Sequence, residues 1–269
     1  MMKKIKYIRL LKKIITISKK ANVIINRMHK ENLKSTSLYY TLKTNFTPLT
    51  LADKKMSDFL TAEIKKLKLN IPIISEEKIN NKKFIQPILY WLIDPLDGTR
   101  EYINNSHEFT FNISLIHNSM PLIGLISHPW SGAIYYATKY TPSYKFDGKS
   151  SKLIQFKKTP PKNSNLRFVV SKSYLSEKTL NFVEKNGGDY TKMGSSLKFC
   201  KILDGNFDVY VRHGELHTWD TASGFLLIRR AGGLVTDLSN TPLKFKQPFK
   251  KHSNILVSNS NQHKLLISE

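Results

Sequence analysis

Apolar residues recur at Ile5, Ile8, Leu11, Ile14, Ile15, Ile17, Ala21, Ile24, Ile25 and Met28, with Lys and Arg between them. That spacing predicts an amphipathic helix ending near His29. A second helix is predicted from about Leu51 to Lys66, after a polar loop, Lys43-Thr-Asn-Phe-Thr-Pro-Leu-Thr50. Strands are predicted at about 71–75, 88–93, 109–116 and 121–127. Asn118-Ser-Met-Pro121 is turn chemistry and joins the last two as a hairpin. Another hairpin is expected around 132–148, with turns at Pro142 and Asp147-Gly148. A polar Lys/Pro-rich connector, 157–165, then separates an N-terminal half, 1–156, from a C-terminal half, 157–269.

The second half alternates strand and helix. Strands are predicted over Arg167–Ser171 and Phe207–Arg212, and near 234–236 and 254–258. Helices are predicted over Ser176–Lys185, Ser195–Leu203 and Thr218–Ala231, the last stopped by Gly232-Gly233. There is no internal repeat and no low-complexity tract. The pattern indicates an α/β (α+β) fold in one unit made of two closely joined halves.

Composition changes this picture little. The chain of 269 residues is long enough for a large core. Its one cysteine, Cys200, excludes an intramolecular disulfide and fits a reducing, cytoplasmic setting. Cys200 is expected to pack as a small apolar residue. The net charge of +23 invites a nucleic-acid reading, but 36 Lys against 7 Arg, with abundant Asn and Ile, is also what AT-rich codons produce. The lysines are scattered and form no stripe with aromatics, so no long nucleic-acid partner is expected. A positive field would still gather a small, highly anionic substrate. Lys12, Lys13, Lys19 and Lys20 interrupt the N-terminal apolar stretches, so neither a signal peptide nor a membrane span fits. A basic amphipathic helix suits peripheral contact with an anionic membrane, on the cytoplasmic face of the inner membrane, although such helices more often pack on the core.

The chemistry concentrates in Trp91-Leu-Ile-Asp-Pro-Leu-Asp-Gly-Thr-Arg-Glu-Tyr102. An apolar strand ends in a turn that carries Asp94 and Asp97. Pro95 stiffens the turn, and Gly98 leaves its backbone N–H open to close approach. A helix starting near Thr99 would aim its first N–H groups at the same place. Acid pair, bare donors and hydroxyl together describe a site for a divalent metal that holds a phosphate. A capped, solvated turn accounts for any one of these residues but poorly for the cluster. Oxygen-only donors at Glu76, Asp94, Asp97 and Asp220 suit Mg²⁺ or Mn²⁺ over zinc. Asp220 by itself reads as the N-cap of a helix.

The segment Asp94-Pro-Leu-Asp-Gly-Thr99 resembles the signature of the inositol monophosphatase superfamily of Mg²⁺-dependent, lithium-sensitive phosphatases. Ile73-Ile-Ser-Glu76-Glu77, Gly194-Ser-Ser-Leu-Lys-Phe-Cys200 and Trp219-Asp220-Thr-Ala-Ser-Gly224 stand in that family's order. Together with Arg100-Glu101 and Glu108-Phe-Thr-Phe-Asn-Ile113, they are most similar to the 3′(2′),5′-bisphosphate nucleotidase branch of the CysQ type. The resemblance runs from about Ile14 to Asn259. It implies an αβαβα layered sandwich with the site between the halves.

The resemblance also implies a ligand set. One ion would be held by Glu76, Asp94 and the Leu96 carbonyl, and a second by Asp94, Asp97 and Asp220. Glu76 and Thr99 would orient the attacking water, with no covalent intermediate. Leu96, Asp97, Gly98, Thr99 and Asp220, with Glu76, would border the phosphate. Lys198 would meet the phosphate that is not cleaved, and Glu77 would stand outside the site. The implied reaction removes the 3′ phosphate of adenosine 3′,5′-bisphosphate to give AMP, clearing a by-product of sulfate activation. An inositol monophosphatase or sugar bisphosphatase is the alternative within the fold; a basic nucleic-acid-binding protein is the alternative outside it. Two departures bear on this. Asn45 stands where the branch carries an aspartate, which affects whether two or three ions bind and how strongly lithium inhibits. Ser171-Lys-Ser-Tyr174 replaces Ser-Arg-Ser-His, which alters contacts on the adenine side.

Overall fold

The N-terminal apolar stripe forms one long helix, α1 (Met2–Leu33). Its buried face, Leu10, Leu11, Ile14, Ile17, Ala21 and Ile25, packs on the core while Lys12, Lys13, Lys19 and Lys20 stay exposed. No described helix is long and apolar enough to cross a membrane. A computed structural model describes residues 2–33, 40–42, 48–78, 87–156, 165–246, 251–259, 263 and 266. Asn45 and 157–164 of the connector lie outside the described residues.

A short antiparallel ribbon, β1 (Tyr40–Leu42) and β2 (Pro48–Thr50), leads into α2 (Leu51–Lys65). Thr50 caps that helix. Its hydroxyl accepts from the N–H groups of Ala52 and Asp53, and the Asp53 carboxylate accepts from the Thr50 N–H in return. A seven-stranded sheet follows in chain order: β3 (Ile73–Ser75), β4 (Leu89–Asp97), β5 (Thr110–His117), β6 (Met120–His128), β7 (Ala133–Thr138), β8 (Ser143–Phe146) and β9 (Ser151–Ile154). Only the β3–β4 pair is parallel. Between β4 and β5 lies the short helix α3 (Thr99–Ile103).

The second sheet is built from β10 (Arg167–Ser171), β11 (Asp189–Met193), β12 (Val209–His217), β13 (Gly233–Thr236) and β14 (Lys251–Asn259). Its spatial order is β11-β10-β12-β14-β13. Helices α4 (Glu177–Lys185), α5 (Leu197–Leu203) and α6 (Thr218–Arg230) complete the chain.

Three apolar clusters define the layers. Ile14, Ile25, Met56 and Leu60 pack on Trp91, Ile93, Ile113 and Leu115 on one face of the large sheet. Leu92 and Ile126 on its other face meet Phe199 of α5 and Leu227 of α6, which in turn meet Tyr210 and Val257 of the second sheet. Val183 of α4 covers the outer face of that sheet with Phe168, Val211 and Leu256. The order helix, sheet, helix, sheet, helix is the expected αβαβα sandwich. Because both faces of β4 are buried, its sequence reads as an unbroken apolar run.

Several elements differ from the sequence expectation. Strand β2 lies in what reads as polar loop, and β1 lies just before it. Strand β11 exposes four of its five residues and carries no apolar alternation to reveal it. The hairpin expected over 132–148 continues into β9, with Asp147-Gly148 as the second turn. Strand β4 does not end before Asp94 but runs to Asp97 through an irregular register.

Helix α6 crosses β6 at Gly124, where a Cβ would lie 3.1 Å from the Ser223 carbonyl oxygen and 3.2 Å from its Cα. Backbone cannot swing aside as a side-chain tip can. Gly124→Ala should therefore cost about 1–3 kcal/mol by overpacking. Urea unfolding should show a lower midpoint with an unchanged slope.

Candidate metal and phosphate site

The site is made by a misregister in β4. Asp94 pairs with Asn112 and Asp97 with Thr110, so β4 holds one residue more than β5 across that interval. Side chains alternate along a strand, and residues three apart normally face opposite ways. The extra residue of the bulge restores the phase, so Asp94 and Asp97 face the same way. Pro95, lacking an N–H, is suited to the unpaired position. The Leu96 N–H donates to Asp94 Oδ1 at 3.1 Å. Asn112 Nδ2 lies 3.4 Å from both Asp94 Oδ2 and Asp97 Oδ2, and 3.0 Å from Ser196 Oγ.

Gly98 follows at φ +93°, and a Cβ there would lie 2.9 Å from the Glu108 carbonyl oxygen. Only glycine combines that angle with that approach. The chain then enters α3, where the Thr99 hydroxyl faces Asp53 Oδ1 at 3.0 Å and the Leu96 carbonyl at 3.2 Å. The buried Asp53 thus caps α2 with one oxygen and holds Thr99 with the other.

The second half delivers the remaining carboxylate. Asp220 is the third residue of α6, and the cap is His217, whose N–H donates to Asp220 Oδ2 at 3.1 Å. Asp220 is thus not the N-cap that an aspartate at a helix start suggests by itself but the acidic partner of the capping pair, and it lines the cleft. The Ser196 N–H donates to Asp97 Oδ2 at 2.6 Å, and Ser196 Oγ touches Asp97 and the Asp220 carbonyl. One serine thereby joins the two halves.

Among the described residues, Asp94, Asp97 and Asp220 form one group whose carboxylate oxygens lie within 4.8 Å of one another. Desolvation, then the negative charges of Asp97 and Glu76, hold the Asp220 carboxyl well above the ordinary carboxylate range. Three converging carboxylates with Glu76 beside them are a charge excess that a cation neutralises, and an all-oxygen donor set suits a hard divalent ion. Glu76 follows β3 in a short 3₁₀ turn and lines the same cleft with Leu96, Gly98 and Thr99. Glu77 does not line it.

The cleft, about 680 Å³, is lined by cations as well as by these acids. Lys198 is buried in its wall, 5% exposed, where a surface helical lysine would be solvated. Its ammonium donates to the carbonyls of Ser195 (2.6 Å) and Met193 (3.3 Å) and lies 5.3 Å from the Tyr210 ring centre. Burial lowers its pKa to about 8, with Asp97 acting in the other direction. Further out, the Arg100 and Arg212 guanidinium groups lie 5.2 and 4.7 Å from the Tyr174 ring centre. Cys200 is buried behind the cleft, its thiol pushed well up by desolvation, which suits packing and no nucleophilic role. Asp53, Asn112, Ser196 and Arg212 were not singled out from the sequence. Asn112 and Ser196 sit inside blocks that were noticed; Arg212 has no local signal.

An αβαβα sandwich with a carboxylate cluster where a bulged strand meets a helix of the other half defines a class of metal-dependent phosphatases. The chain belongs to the Inositol monophosphatase family, which it matches over residues 10–269. It is 35% identical over 231 residues to the Buchnera aphidicola protein named 3′(2′),5′-bisphosphate nucleotidase CysQ, covering 84% of each chain. The protein of that name from Aggregatibacter actinomycetemcomitans is 36% identical over 211 residues, 77% of this chain and 78% of that one. The crystal structure of CysQ from Bacteroides thetaiotaomicron superposes with a TM-score of 0.73 at 25% identity, over 90% of this chain and 93% of that one. The suhB protein of Bartonella henselae shares the fold, with a TM-score of 0.80 at 20% identity over 97% of both chains.

Asp53 joins two functions, so its substitutions should separate them. Asp53→Ala leaves Thr50 as the cap but removes the reciprocal half of the capping box and the acceptor for Thr99, and is expected to lower unfolding free energy by about 1–2 kcal/mol. Asp53→Asn keeps an acceptor for Thr99 and should cost less; urea denaturation of both variants checks the order.

Proposed function

We propose that the protein is a Mg²⁺-dependent 3′(2′),5′-bisphosphate nucleotidase that converts adenosine 3′,5′-bisphosphate to AMP and phosphate. The observation that carries this reading is that one cleft holds both a carboxylate cluster and cations. Asp94, Asp97 and Asp220 line it together with the buried Lys198 and with Arg100 and Arg212. A monophosphate needs only the carboxylates and their metal. A bisphosphate uses the cations as well. The names carried by relatives at 35% and 36% identity support the same substrate.

In this reading Glu76, Asp94 and the Leu96 carbonyl hold one ion, and Asp94, Asp97 and Asp220 hold a second. Bound there, Mg²⁺ supplies Lewis acidity to the phosphoryl oxygens and acidifies the attacking water. The protein's own groups do the positioning. Thr99, aligned by Asp53, and Glu76 orient the water, and the open backbone at Gly98 lets the phosphate approach. The Ser196 bridge keeps Asp97 and Asp220 at a fixed separation. An ammonium has three protons; two of Lys198's are taken by the Met193 and Ser195 carbonyls, leaving one for the phosphate that stays.

Phosphate release from adenosine 3′,5′-bisphosphate should exceed that from inositol 1-phosphate; the reverse order would favour an inositol phosphatase. Lys198→Met should lower kcat/KM on the bisphosphate by roughly ten- to a hundredfold, the effect of losing ~1.5–3 kcal/mol of charge-assisted bonding. Hydrolysis of inositol 1-phosphate should barely change. With a Lys198 pKa of about 8, the charged form prevails below that pH and the neutral form above it. KM for the bisphosphate should therefore rise as pH increases through about 8, and this limb should vanish in Lys198→Met.

Asp97→Asn keeps shape but removes one of the converging charges. Mg²⁺ or Mn²⁺ at about 100 times its Kd should stabilise the wild type by about 2.7 kcal/mol. A thermal-shift titration should show that gain reduced or absent in Asp97→Asn, together with loss of turnover. Full activity in this variant would overturn the ligand assignment.

A further inference from the structure

Glu101 is a buried carboxylate to which the reaction above gives no part. It sits on α3, 6% exposed, two residues beyond Thr99, and lines the cleft without belonging to the Asp94–Asp97–Asp220 group. Burying a carboxylate is costly, and an apolar side chain would fill the same space without that cost. The position of Glu101 therefore needs a reason, and its contacts supply one. Glu101 Oε1 accepts from the Ser173 hydroxyl at 3.0 Å. Its carboxylate also lies so close to Gly194 that a Cβ there would be 2.6 Å from Glu101 Cδ. The next acid along, Glu108, accepts from Lys172 Nζ at 3.1 Å and from the Gly194 N–H at 3.2 Å. The segment from α3 to β5 thus grips 172–173 of the second half at two points.

What that grip positions is the adjoining residue. The Tyr174 ring is flanked by Arg100, the neighbour of Glu101 on α3, and by Arg212 on β12. Ser173 and Tyr174 are exposed and lie beyond the end of β10, tied back to it by the Tyr174 N–H, which donates to Ser171 Oγ at 3.2 Å, while the Ser173 side chain turns to Glu101. We propose that Glu101 is a positioning residue for the part of the substrate beyond the cleaved phosphate. Through Ser173 it fixes Tyr174, and with Tyr174 the spacing of the two guanidinium groups that face a nucleotide's base and remaining phosphate. This inference rests on the nucleotidase reading.

The test compares wild type, Glu101→Ala, Glu101→Gln and Ser173→Ala on two substrates, adenosine 3′,5′-bisphosphate and 4-nitrophenyl phosphate, a small aryl monophosphate. Glu101→Ala and Ser173→Ala should raise KM for the bisphosphate about tenfold or more, as expected for one lost hydrogen bond to a charged group, with kcat within about twofold. Both constants for the aryl phosphate should stay within about threefold. Glu101→Gln retains an acceptor oxygen for Ser173 and should restore KM to within about threefold of wild type. Ser173 is exposed, so its variant carries the test if Glu101→Ala does not fold. Equal losses on both substrates would overturn the inference, because Glu101 would then be supporting Gly194 and the metal end. An unchanged KM in Ser173→Ala would overturn it too, as would a Gln variant no better than Ala. A wild type that hydrolyses the aryl phosphate but not the bisphosphate would instead overturn the nucleotidase reading itself.

Discussion

The structure depends on one extra residue in β4. Without the bulge at Pro95, strand alternation would send Asp94 and Asp97 to opposite faces, one toward α1 and α2 and the other toward α6. With it, both acids point into one cleft, and the chain leaves the strand at the angle that makes the glycine turn and α3 follow. Two like charges held this close repel, and burial strengthens the repulsion. The surroundings answer with aligned donors: the Leu96 N–H on Asp94, the Ser196 N–H on Asp97 and Asn112 Nδ2 facing both. These donors hold the geometry but leave net negative charge, and the Asp220 carboxyl is raised first by burial and then by the charges of Asp97 and Glu76. A cation completes the arrangement.

The sandwich makes that arrangement rigid. Helix α6 is packed between the sheets, and its first turn carries Asp220 into the cleft. Its axis is pinned against β6 and β5 where Gly124 lets backbone meet backbone and Ser223 Oγ bonds to Ser114 Oγ (2.8 Å) and the Ile113 carbonyl (3.1 Å). A shift of this helix would move Asp220 relative to the bulge. The packing of the middle layer and the spacing of the metal ligands are therefore one constraint. Lys198 belongs to the same logic, since its ammonium bonds to the backbone of the turn that supplies Ser196.

Net charge bears little on this. The +23 of the chain is spread over exposed lysines such as those of α1, whose apolar face is committed to the core. The cations that line the cleft are few and individually placed.

The sequence by itself determined the long helices, the fully buried strands and the identity of the acidic cluster. Each of these is local: apolar period, Pro and Gly punctuation, and acids within one short run or one motif. Asp94, Asp97 and Thr99 could be named that way, Glu76, Lys198 and Asp220 through the family resemblance of their blocks, and all six line the cleft. Strand β11 could not, because an exposed edge strand needs no apolar alternation, and neither could the continuation of β4 through Asp97, because a bulge has no composition of its own. Tertiary structure alone decided that Lys198 is buried with a lowered pKa, that Asp53 reaches Thr99, and that Ser196 bridges Asp97 to α6. It alone placed Arg212 beside Tyr174 and Glu101 beneath Gly194. Those relations join residues 24 to 99 positions apart, or link separate layers, and the chain's local pattern holds no record of distance in space.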